Sequence, residues 1–98
     1  MAAFISTIKF TQQGIAGIHE TTQRAAALKA AAKKMGAKIT SIFWTLGPFD
    51  GVLIFEAPND ETATALMLHI GSLGNVHTQT ARAFTATEMD KILALTTK

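Results

Sequence analysis

An α+β fold follows from three features of the sequence. Apolar residues alternate in several short stretches, longer stretches between them carry three-and-four spacing, and the resulting order is β-α-β-β-α-β-α. The 98 residues suit a single domain, taken as 1–98, with no interdomain cleft.

Phe4 to Phe10 alternates, with Phe4, Ile8 and Phe10 on one side and Ile5, Thr7 and Lys9 on the other, the period of a half-buried strand. Thr11-Gln12-Gln13-Gly14 then turns the chain. A helical segment rich in Ala, Leu and Lys runs from there to Met35, and Gly36 supplies the left-handed residue that stops it. Ala25, Leu28, Ala32 and Met35 form its buried stripe, while Lys29, Lys33 and Lys34 point away.

Lys38 to Leu46 predicts a second strand, with Ile39 and Phe43 on one face and Ile42, Trp44 and Leu46 on the other. Gly47-Pro48-Phe49-Asp50-Gly51 is a concentrated turn signal, and Val52 to Ala57 resumes a strand, so the pair reads as a β-hairpin. Asn59 then caps a helix with Asp60 and Glu61 in its first turn, where the helix dipole favours carboxylates. Ala63, Leu66, Met67 and Ile70 are the apolar face of that helix, and Gly71 is its stop. Asn75 to Phe84 is a fourth strand whose polar residues suit a sheet edge. Thr85 and Glu88 have capping-box spacing ahead of Met89, Ile92 and Leu93, which predicts a short C-terminal helix.

Two split crossovers on one four-stranded antiparallel sheet describe a ferredoxin-like sandwich, in spatial order four, one, three, two, with both long helices on one face. The opposite face is then bare, and residues such as Ile5, Ile39 or Trp44 on it would form an apolar patch that a second copy must cover. Composition agrees: 48% of residues are hydrophobic and 16% charged, against about 25% charged in a typical soluble domain. With no cysteine, disulfides and thiolate metal sites are excluded, and association between copies is the remaining extra stabiliser.

A formal charge of +2 and a lysine cluster with no interleaved aromatic residues give no nucleic-acid surface. Apolar runs such as Val52 to Phe55 are far below a membrane-spanning length, and the expected location is cytoplasmic, with no membrane partner.

Four separated motifs add a resemblance. Leu46-Gly47-Pro48-Phe49-Asp50 at the hairpin, Glu56-Ala57-Pro58-Asn59-Asp60 after it, Gly71-Ser72-Leu73-Gly74-Asn75-Val76, and Arg82-Ala83-Phe84-Thr85 together resemble the GYD domain family. Phe49 stands where that family usually has Tyr, so a role for a phenol hydroxyl is not carried over. The resemblance implies the dimeric α/β-barrel type of the ferredoxin-like fold and names no reaction. A similar hairpin occurs in ligand-sensing domains of leucine-responsive-type regulators, and the same barrel serves cofactor-free oxygenases and isomerases; these are likenesses of fold.

His19, His69 and His77 fall in different elements with no metal-ligand spacing, so neither metal nor cofactor is expected. Gly71 to Asn75 follows a helix, whereas phosphate cradles precede one. Ser6, Ser41 and Ser72 lack a nucleophile-elbow context. Glu56 and Lys9 are expected to pair across neighbouring strands, and Asp50 to fix its turn by accepting backbone hydrogen bonds.

The candidate ligand-binding residues are Trp44, Phe49, Asp50 and His77, with no catalytic residue assigned. The expected protein is a homo-oligomer, a dimer or larger, holding a small apolar or aromatic metabolite at the sheet face between subunits. The alternative is a cofactor-independent enzyme, isomerase- or oxygenase-like, with His77 or Asp50 as the proton-transfer group.

Overall fold

A computed structural model describes residues 1–96. Its strands are β1 (Ala2–Phe10), β2 (Lys38–Trp44), β3 (Gly51–Ala57) and β4 (Val76–Ala83), antiparallel throughout in the order β2-β3-β1-β4. Four helices accompany them among the described residues: α1 (Gln12–Ala16), α2 (Thr21–Lys34), α3 (Asp60–Ser72) and α4 (Ala86–Ala94). This is the ferredoxin-like α+β arrangement, with β4 at an edge as its polarity predicts.

The core lies between the sheet and the α2–α3 layer. Phe4, Leu53 and Phe55 from the two central strands are buried against Ala32 of α2 and Ala63, Leu66 and Ile70 of α3. Phe4 and Phe55 stack with ring centroids 5.2 Å apart. Alanines on α2 keep that helix close to the sheet, and its stop is as expected, with Gly36 at φ 83. Ser6 is the buried polar residue of the core, and it is satisfied because the Thr80 hydroxyl on β4 donates to it at 2.9 Å.

Two expectations need correction. The first long helix is not continuous: α1 ends at Gly17, a 3₁₀ turn covers Ile18–Glu20, and α2 begins at Thr21. The Thr11 hydroxyl caps α1 by accepting from Gly14 N–H at 3.0 Å and itself donates to Gly74 O at 2.7 Å, which binds the short helix to the β4 entry. A methyl group at Gly14 would lie 2.0 Å from Asn75 O, so this close approach requires glycine.

The second correction concerns β2, which stops at Trp44 and contains a bulge. Ile39 pairs with Phe55 and Ser41 with Ile54, leaving Thr40 as the extra residue, its hydroxyl donating to Ile54 O at 3.0 Å. The slip reverses the faces: Ile39, Ile42 and Trp44 all lie on the helix side, and Phe43 takes the open side. The bare face is therefore built around Ile5, Phe43, Val52 and Ile54, not Ile39 or Trp44. Ile5 is 41% exposed and Phe43 58%.

Candidate functional site

At the end of the sheet where β1 runs into α1, the two long helices leave a cavity of about 180 Å³ against the sheet. Its walls are apolar: Ile8 and Phe10 of β1, Ile42 of β2, Leu53 of β3, Leu28 of α2 and Ile70 of α3. Trp44, Asp50, Arg24 and His69 also line it.

Trp44 ends β2, where its indole Nε1–H reaches across to the Thr21 hydroxyl at 3.0 Å. Asp50 belongs to the hairpin, and its position is over-determined. Its Oδ2 accepts from Phe10 N–H at 2.8 Å, its own N–H donates to Ile8 O at 2.8 Å, and its carbonyl accepts from Thr45 N–H at 3.0 Å. Asp50 thus closes the hairpin onto β1, the turn-fixing role its sequence context suggests. Phe49 is half-buried, and its carbonyl accepts from the Thr45 hydroxyl at 2.7 Å, but its side chain does not line the cavity.

His77 is elsewhere. It pairs with Lys9 on the open face of the sheet and is exposed, so the structure brings Trp44 and Asp50 together and separates His77 from them. Lys9 does not meet Glu56: Glu56 pairs with Ala3 and Lys38, while Lys9 lies toward the other end of β1, with its Nζ 3.4 Å from Pro48 O.

Sequence reasoning missed Arg24. It stands three residues after Thr21 and four before Leu28, inside the helical stripe that faces the sheet, and a cation within an otherwise apolar stripe is the signal that would have found it. Its guanidinium makes two long contacts, to Gly14 O and to Glu20, each at 3.5 Å. It also lies over Gly17, where an added Cβ would come within 2.3 Å of its terminal nitrogen.

Beyond the sheet, α4 has no buried residue, and Met89 and Leu93 are exposed. Its start is nevertheless firmly anchored. The Thr85–Glu88 capping box is complete, Arg82 donates to Glu88 Oε2 at 3.2 Å and to the carbonyls of Ala3 and Ala83, and the guanidinium lies 4.6 Å from the Phe84 ring centroid. The Thr85 backbone N–H and the Arg82 side chain hold the Glu88 carboxyl below its ordinary pKa.

Among the described residues, no group of three His, Cys, Asp or Glu side chains could hold a metal ion, and no helix is long and apolar enough to cross a membrane.

The GYD domain family model matches residues 4–93. A relative in Thermus thermophilus, the glutamine synthetase and cystathionine beta-lyase binding protein, is 27% identical over 90 residues, covering 91% of this chain and 95% of its own. Two crystal structures share the fold. MtbAldR aligns with a TM-score of 0.68 at 9% identity over 86% of this chain, which spans only 52% of MtbAldR. TTHA0845, also from Thermus thermophilus, aligns with a TM-score of 0.57 at 23% identity over 88% of this chain and 96% of its own.

Proposed function

The chain belongs to the GYD domain family, and from that premise we propose that it is a homo-oligomeric binding module whose helix–sheet cavity takes a small apolar or aromatic molecule. The cavity carries this reading. At about 180 Å³ with apolar walls, it is comparable to engineered apolar cavities of about 150 Å³ that stay dry and admit benzene. The ligand site moves, relative to the sequence expectation, from the open sheet face to the helix side, because that is where Trp44 and Asp50 converge.

The open face has the complementary role. Ile5, Phe43, Val52 and Ile54 form an apolar surface that a second copy would cover by sheet-on-sheet packing. The same surface also suits a different protein as partner, a reading favoured by the Thermus relative, whose name records binding to two enzymes. Proton-transfer catalysis is not favoured: Asp50 already holds the Phe10 N–H, and His77 stands on the other side of the sheet from the cavity.

Calorimetric titration with toluene, with thermal melts alongside, tests the cavity. One toluene per chain and a melting temperature that rises with ligand concentration are expected. The Ala25→Phe variant, which plugs the cavity wall, should lose both effects. Absence of any toluene binding or thermal shift in the wild-type protein would remove the reading.

A further inference from the structure

Resting on the reading of the cavity as a small-molecule site, we infer that its ligand is a compact hydrophobic carboxylate, an aryl or branched alkyl acid, whose carboxylate is held by Arg24. Arg24 and Asp50 are the cavity's two formally charged lining residues. Asp50 is turned to the backbone, with its Oδ2 on the Phe10 N–H at 2.8 Å. Arg24 has no comparable engagement. Its contacts to Gly14 O and Glu20 are both 3.5 Å, and Glu20 is largely exposed.

An ion pair at 3.5 Å to a largely exposed carboxylate is weak and readily exchanged for another anion. A guanidinium presents five N–H donors in a planar fork that matches a carboxylate in bidentate fashion. Placed beside an apolar wall, that fork is screened less than one in open water. The combination of a benzene-sized apolar volume and one under-used guanidinium at its edge selects for a molecule with an apolar body and a terminal carboxylate.

Gly17 supports the same geometry. The absence of a side chain there lets the guanidinium lie over the backbone, and a Cβ would meet only the flexible end of Arg24. Gly17→Ala should therefore leave the fold intact while displacing the guanidinium.

The test is a titration series with toluene, phenylacetate, phenylacetamide and phenethylamine. The expected result is phenylacetate binding at least tenfold more tightly than phenylacetamide, with the margin shrinking as salt is added. Arg24→Gln should collapse the acid-to-amide ratio towards one, and Gly17→Ala should lower it in a protein whose circular dichroism is that of the wild type. An acid bound no better than the amide, an amine bound best, or a ratio indifferent to Arg24→Gln would overturn the inference. If toluene binds but the acid gains nothing, only this inference fails. If none of the four binds, the cavity reading fails with it.

Discussion

The Trp44 indole and the Thr21 hydroxyl are joined by a 3.0 Å hydrogen bond, which makes the chain's single tryptophan a strap from the end of β2 to the first turn of α2. Trp44 remains 47% exposed, so the strap lies along the rim of the cavity and is not buried in the core.

Removing either half of this strap should have the same consequence. Trp44→Phe and Thr21→Val are each expected to cost about 1 kcal/mol in urea unfolding, and the double variant should cost less than the sum of the two. Strict additivity would show that the two groups act separately.

Two glycines should respond to alanine with opposite signs. At Gly14 the new methyl group would collide with the Asn75 carbonyl at 2.0 Å, and a backbone shift there should cost about 1–3 kcal/mol. Gly71, within α3, has nothing within 4 Å of an added Cβ, so Gly71→Ala should stabilise by about 0.5–1 kcal/mol. Denaturant midpoints of the two variants on either side of the wild type would check both.

Glu88 predicts a pH response confined to α4. Its carboxyl is held low by the Thr85 N–H and by Arg82, and so titrates below its unfolded counterpart. A group with a lowered folded pKa contributes stability above the unfolded value and loses it as pH falls through the folded one. The Thr85 amide resonance should therefore shift with a midpoint below the usual glutamate range, and in Glu88→Gln that step should be absent.

The open sheet face predicts an assembly that one charge would undo. Sedimentation should find the wild-type protein as a dimer or larger, and Ile54→Lys, at the centre of the face opposite Ile5, should yield monomers with unchanged secondary structure. A wild-type monomer at micromolar concentration would remove the homo-oligomer from the proposal.

Much of the fold was legible in the chain because its signals are local. Alternation located β1, Gly-Pro-Phe-Asp-Gly located the hairpin, with it the start of β3, and the structural task of Asp50, and the Thr85/Glu88 spacing located α4 with its cap formed as expected. The bulge at Thr40 was invisible, since an extra residue in one strand is defined only against its partner's register and threonine is an ordinary strand residue. That one slip misassigned the faces of Ile39, Phe43 and Trp44, and with them the side of the sheet on which a pocket was expected. Helix α1 was missed because Thr11 to Gly14 reads as a turn, while the contacts that stabilise it come from Gly74 and Asn75, about sixty positions away.

The bulged threonine also acts as a parity element. Because Ile39 and Ser41 already face consecutive residues of β3, deleting Thr40 would only regularise the ladder and leave the indole on the helix side. A strand that instead drew Thr40 into the ladder opposite Ile54 would shift every later residue by one, turning the indole out to solvent and the Phe43 ring in towards the helices. The pocket rim and the exposed patch thus share one looped-out residue, and whatever flattened it would undo both at once.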